Sequence, residues 1–213
     1  MPLQTMSPSL RRPSIIPDYR QSGLQPVPKP WRDFPLKGML LDADTIRARI
    51  ETLASEIQEQ TEDGPLLMVG ILSGASVFMA DLIRQMRGEL EVTYIGVSSY
   101  RSGITSGSLA WTLPLQVDIK HRRVMIVDDI LDTGRTLEMV TTHLESLGPT
   151  SVKRCVLLQK HRESLHQEGD APIIQAEHVG FLIPDTFVVG YGLDMDGQMR
   201  QLPFIGSVLL PES

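Results

Sequence analysis

The sequence predicts an α/β fold: a central, mainly parallel sheet flanked by helices on both faces. Three observations predict it. Continuous apolar runs read as strands buried on both faces, apolar residues at helical spacing lie between them, and Gly, Pro and Ser punctuate the junctions. Strands alternating with helices imply right-handed crossovers, and ligands of such sheets sit beyond the carboxyl ends of the strands.

The elements follow in order. Residues 1–37 are rich in Pro, Ser and Arg, and Pro13, Pro17, Pro26, Pro28 and Pro30 allow neither a helix nor a central strand. A flexible extension is therefore expected over 1–37, with one domain over 38–213 and order beginning near Met39. Asp42 or Asp44 caps a helix whose inner face is Ile46, Ile50, Leu53 and Ile57. Residues 66–72 form a buried strand, Ser73-Gly74 a turn, and residues 77–86 a helix stopped at Gly88. Residues 92–97 are the next strand. A polar stretch from Ser98 to about Thr112, with Gly103 and Gly107, reads as a working loop. Residues 124–127 are a further buried strand, and Leu137, Val140, Leu144 and Leu147 mark the helix after it, which ends at Gly148-Pro149. A strand over 152–158 and short apolar runs at 179–183, 187–189 and 204–209 complete the chain.

Composition narrows the function classes. The chain has 213 residues, 41% of them hydrophobic, enough for one substantial core. With 20 basic against 26 acidic residues the net charge is −6, which speaks against nucleic acid as the main partner. The single Cys155 lies in an apolar run, so it reads as a buried thiol, and a reducing cytoplasm is the expected location. No stretch approaches the roughly 20 apolar residues of a membrane helix. The first residues lack the pattern of a signal peptide.

The chemistry shows at the junction of the 124–127 strand and its helix: Asp128-Asp129-Ile130-Leu131-Asp132-Thr133-Gly134-Arg135-Thr136. N–H groups in the first turn of a helix lack internal partners and sit at the positive end of the helix dipole, so they hold phosphate. Gly134 allows close approach to the backbone. Acids on the same segment accept sugar hydroxyls and metal-bound water, which a plain phosphate site would not need. No P-loop pattern occurs. An acid-rich strand end with a helix cap is the alternative reading of such a stretch taken alone.

This segment resembles the phosphoribosyl-pyrophosphate signature of the type I phosphoribosyltransferases. Gly70-Ile71-Leu72-Ser73-Gly74-Ala75, Ser99-Tyr100, Phe187-Val188-Val189-Gly190-Tyr191-Gly192-Leu193-Asp194 and Arg200-Gln201-Leu202-Pro203 extend the likeness to the hypoxanthine-guanine phosphoribosyltransferases. It covers about residues 39–208. The resemblance implies a single domain with a small C-terminal hood and a flexible lid loop. It implies a purine salvage enzyme that transfers the 5-phosphoribosyl group of phosphoribosyl pyrophosphate to hypoxanthine or guanine, giving IMP or GMP and pyrophosphate, with Mg²⁺ as cofactor.

Roles are implied residue by residue. Asp132 matches the general base near the purine N7. Asp128 and Asp129 match the holders of ribose hydroxyls and, through water, of metal. Thr133, Gly134, Arg135 and Thr136 match the cradle of the 5′-phosphate. Ser73, Gly74 and Arg200 match pyrophosphate contacts. Lys160, which follows a strand, matches the donor to the 6-oxo group; alone it reads as a solvated surface residue. Phe187 and Val188 match the stacking aromatic and the reader of the base edge, and alone they read as core. Asp194 matches the acid that holds a second Mg²⁺ beside the purine. Ser99 and Tyr100 open the lid. Many relatives carry Lys-Gly where this chain has Ser73-Gly74, so one cation near pyrophosphate is missing. A homodimer or homotetramer is the family expectation. Two other functions fit the same pattern: a regulator that senses phosphoribosyl pyrophosphate and binds nucleic acid, and a transferase acting on xanthine or a pyrimidine.

Overall fold

A computed structural model describes residues 16–60, 64–99, 109–161 and 174–209. Its centre is a six-stranded sheet in the order β4-β3-β2-β5-β6-β7. The strands are β2 (Leu66–Leu72), β3 (Leu90–Ser99), β4 (Leu109–Leu113), β5 (Arg123–Leu131), β6 (Ser151–His161) and β7 (His178–Pro184). All neighbours pair in parallel except β4, which runs antiparallel to β3 at one edge. A separate antiparallel sheet, β1-β9-β8, joins β1 (Leu36–Leu41), β8 (Val188–Val189) and β9 (Ile205–Val208). This sheet is the expected hood, but one of its strands comes from the N-terminal side of the domain.

The uninterrupted apolar runs have a physical cause, since both faces of the sheet are covered. On one face lie α1 (Ala43–Gln60) and α2 (Ser76–Gln85), whose Ile46, Ile50, Leu53, Ile57, Phe78 and Leu82 pack with Met68, Met125, Val127 and Cys155. On the other lies α3 (Arg135–Ser146), whose Leu137, Val140 and Leu144 pack with Leu67, Val69, Val124 and Ile126. Successive strand residues alternate between the two clusters, as pleating requires. Asp42 is the cap of α1, its Oδ1 accepting the Thr45 N–H at 2.7 Å. Leu147 does not join the inner face of α3: the helix ends at Ser146, and Leu147 is 41% exposed.

Three further expectations change. The extension expected to be flexible through residue 37 is tied down from Ile16 onward. Tyr19 N–H donates to Leu182 O at 2.8 Å and Leu182 N–H to Pro17 O at 3.0 Å, so the segment covers the open edge of β7. Gln25 and Met39 exchange two backbone bonds of 2.8 Å, which covers β1 in the same way. Unpaired strand edges favour such cover, and prolines are tolerated on it because an edge needs fewer N–H groups. A 3-10 helix already forms at Lys29–Trp31, and the first strand begins at Leu36, three residues before Met39. The polar stretch from Ser98 to Thr112 is also shorter than expected, because β3 runs to Ser99 and β4 begins at Leu109. Tyr100 and the loop 100–108 lie outside the described residues. Finally, β5 does not stop at Val127: Asp128 pairs with Val156 and Leu131 with Gln159, so the two acids belong to the strand itself.

Candidate active site

The carboxyl ends of β2, β3 and β5 meet at a cleft of about 270 Å³ lined by residues 128–137 with Ile71, Leu72, Gly74 and Val97. Its floor is the β5–α3 crossing. Gly134 takes φ 83°, the left-handed conformation that turns the chain from strand into helix, and no side chain caps the helix behind it. Thr133 and Arg135 are exposed there, Thr136 is partly buried, and the first N–H groups of α3 face the cleft without intrahelical partners. An anion completes such an end.

Asp128 and Asp129 stand at the head of this crossing, Asp128 buried and Asp129 partly so. Burial, followed by the charge of Asp129, pushes the Asp128 carboxyl well above the usual carboxylate range. Burial likewise raises Asp129, while its bond with Asp128 and the nearby Arg200 charge pull the other way. Two acids in this condition gain from hydroxyl donors or a cation. Among the described residues no three Asp, Glu, His or Cys form a closed metal cage. An open pair of carboxylates still accommodates Mg²⁺, which keeps several waters and is commonly completed by substrate phosphates.

Next to Asp129 the chain is packed as closely as backbone allows. A Cβ on Gly74 would lie 1.7 Å from Asp129 Oδ2, and one on Gly192 would lie 2.2 Å from Gly74 O. The Leu72–Ser73 peptide is cis, and the exposed Ser73 accepts, through its carbonyl, the Ser76 hydroxyl at 2.7 Å. Behind Gly192, Arg200 binds Asp194 at 2.8 Å and donates to Gly192 O at 2.5 Å, so both residues frame the same rim. Asp194 also accepts the Gly197 N–H at 2.7 Å.

The opposite rim is set by β6. Lys160 lies within that strand rather than after it, and its side chain is only 12% exposed. Its Nζ reaches Asp132 Oδ2 at 3.1 Å and Asp185 Oδ1 at 3.5 Å. Asp132 and Lys160, 28 residues apart, thus meet at the cleft. Phe187 is 40% exposed and Val188 is buried in β8, so of the two only Val188 is core. Ser99 ends β3, and Tyr100 is outside the described residues. Sequence reading missed Asp185; its position just after Pro184 at a strand end was the available signal.

Comparison with known proteins is consistent with this geometry. A family model described as the phosphoribosyl transferase domain matches residues 37–196. The chain is 41% identical over 179 residues to a hypoxanthine phosphoribosyltransferase of Haemophilus influenzae, covering 82% of this chain and 96% of that one. It is 39% identical over 174 residues to a hypoxanthine-guanine phosphoribosyltransferase of Staphylococcus epidermidis, covering 81% and 94%. A crystal structure of a hypoxanthine-guanine phosphoribosyltransferase from Bacillus anthracis superposes with a TM-score of 0.73 at 34% identity, covering 83% of this chain and 99% of that one.

Proposed function

The chain belongs to the phosphoribosyl transferase family, and on that premise we propose how its residues divide the work of purine salvage. The enzyme transfers the 5-phosphoribosyl group of phosphoribosyl pyrophosphate to hypoxanthine or guanine, giving IMP or GMP and pyrophosphate. The observation that carries the residue assignment is the Lys160–Asp132 pair at 3.1 Å. A 6-oxopurine presents an acceptor, O6, beside a donor, N7–H. A lysine donor beside an aspartate acceptor is the matching edge.

Asp132 takes the N7 proton as N9 attacks the anomeric carbon, and a positioned base of this kind is worth about 10²–10⁴ in rate. Lys160 donates to O6. Adenine places an N–H donor there instead and leaves Lys160 without an acceptor, which is the stronger form of discrimination. Phe187 stacks on the ring, and Val188 offers main-chain groups to its far edge. The helix N–H groups at Thr133, Gly134, Arg135 and Thr136 hold the 5′-phosphate. Asp128 and Asp129 accept the ribose hydroxyls and stabilise the positive charge that develops on the sugar as pyrophosphate departs. Ser73 and Gly74 present backbone groups to pyrophosphate, and Arg200 supplies the positive charge.

Asp194, with Asp128 and Asp129 through water, would hold Mg²⁺, whose chemistry is to offset charge on the leaving pyrophosphate. The residues at Ser99 and Tyr100 open a lid that keeps water from the activated sugar. No helix among the described residues is long and apolar enough to cross a membrane. The reading is of a cytoplasmic homodimer or homotetramer, supported by the free, buried Cys155 for the location and by the family for the assembly.

A competition assay tests this. The protein is supplied with Mg²⁺ and phosphoribosyl pyrophosphate, offered hypoxanthine, guanine, xanthine, adenine or uracil, and pyrophosphate release is measured. Release with hypoxanthine and guanine is expected. Release with adenine or uracil alone would overturn the role given to Lys160.

A further inference from the structure

Outside the cleft, one side-chain contact links α2 to the segment around Gly192, which packs on the Gly74 turn as that turn packs on Asp129. The phenol of Tyr191 donates to Asp81 Oδ2, and Asp81 Oδ1 accepts from Arg84 on the same helix. Tyr191 is 8% exposed, and 110 residues of sequence separate it from Asp81. Its backbone is unusual. Tyr191 has φ 52°, between Gly190 at 96° and Gly192 at 103°, so three successive residues lie in the left-handed region. Glycine adopts that region freely, whereas a bulky aromatic residue stays there only where its surroundings hold it.

What holds it is visible. The Tyr191 N–H donates to Leu202 O at 2.8 Å, and the side chain reaches α2 through Asp81. The consequences run in both directions from Tyr191. Gly192, the next residue, abuts Gly74 and is bonded twice to Arg200, through Gly192 N–H to Arg200 O at 3.0 Å and Arg200 Nη1 to Gly192 O at 2.5 Å. Arg200 in turn holds Asp194. On the other side, α2 starts at Ser76, two residues after Gly74. One helix therefore carries both the Gly74 turn at its start and the anchor for the facing segment one and a half turns along.

We propose that Asp81 is a positioning residue, which through Tyr191 fixes residues 190–200, and so Arg200 and Asp194, against the Gly74 turn on the pyrophosphate side of the cleft. Asp81 touches no substrate. It acts by setting the distance between two backbone segments that close packing makes intolerant of drift. The inference rests on the proposed function only in taking Gly74, Arg200 and Asp194 as the pyrophosphate side.

The test uses the whole protein with Asp81→Ala, Tyr191→Phe and Asp81→Asn. Pyrophosphate is titrated calorimetrically in Mg²⁺, KM is measured for both substrates, and thermal melts report folding. Asp81→Ala and Tyr191→Phe are expected to raise the pyrophosphate Kd and the KM for phosphoribosyl pyrophosphate about tenfold, as for loss of one charge-assisted hydrogen bond. The KM for hypoxanthine stays near its original value. Asp81→Asn, which keeps an acceptor oxygen, restores most of the affinity. Tyr191→Phe keeps the ring in the core and so serves even if Asp81→Ala unfolds. The proposal is overturned if pyrophosphate Kd is unmoved in Tyr191→Phe, if both KM values rise together, or if Asp81→Asn is as impaired as Asp81→Ala. Absence of transfer by the unaltered protein would instead remove the proposed function.

Discussion

The two sides of the cleft are built in opposite ways. The side proposed to hold the phosphate is one contiguous stretch, residues 128–136, whose geometry is that of a strand passing into a helix. The side proposed to meet pyrophosphate and purine is assembled from the Gly74 turn, the end of β6, Asp185, and residues 187–200. On the proposed reading the first side holds phosphate through backbone N–H groups, with the Asp128 and Asp129 side chains adjoining them in the same stretch. On the same reading the second adds to the backbone of the Gly74 turn several side chains brought together over long separations. Substitutions are therefore expected to cost most where a side chain acts on reacting atoms, and least where the backbone does the holding.

Asp132 sits where the sides meet, and it gives the largest expected effect. Asp132→Asn keeps the shape but loses the proposed base, so kcat is expected to fall by about 10²–10⁴ with little change in melting temperature. Initial-rate kinetics with a parallel melt checks this. A variant that unfolds while its turnover per folded molecule is unchanged would break the comparison.

Gly74→Ala probes the seam between the sides. The new Cβ would lie 1.7 Å from Asp129 Oδ2, so that carboxylate must shift. A displacement of about an ångström at a reacting centre costs about 10² in kcat/KM, read here with phosphoribosyl pyrophosphate as the varied substrate. An unchanged value would mean that Asp129 has no fixed role.

How much of this the sequence displayed follows the same division. The strands β2, β3, β5 and β6, the inner face of α1 and, apart from Leu147, that of α3 were legible because burial on a sheet or a helix imposes a period on apolar residues. The contiguous segment 128–136 stood out through its acids and Gly134 lying together along the chain, although Asp128 and Asp129 belong to β5 rather than to the turn after it. Strand β4 was not, since Leu109–Leu113 is short, interrupted by Thr112 and adjoined by Gly and Ser. Nor were the covered sheet edges near Asp18 and Gln25, because prolines signal irregular backbone without saying what it lies against. Asp185 beside Lys160, Tyr191 on Asp81, and the buried Arg49, which bonds Glu56 and the carbonyl oxygens of Val179 and Gly180, are tertiary pairs. No spacing along the chain encodes them.

The smallest effect concerns stability and pH. Burial, then the neighbouring Asp129 charge, raises the Asp128 pKa in the folded chain above its unfolded value. The protonated carboxyl therefore contributes stability at low pH that is lost as pH rises through the raised pKa. Without Mg²⁺, Asp128→Asn is expected to melt at nearly the same temperature as the original chain in acid and a few degrees higher toward neutral pH. Mg²⁺ narrows the gap. Melts across pH in the presence of a chelator and then of Mg²⁺ measure it, and a gap independent of pH would contradict the assignment to Asp128.

A crystal structure with phosphoribosyl pyrophosphate and Mg²⁺ bears on all of these at once. The expected result is the 5′-phosphate within hydrogen-bonding distance of the backbone N–H groups at 133–136, with the ribose hydroxyls on Asp128 and Asp129. Phosphate bound elsewhere, with those N–H groups left to solvent, would contradict it.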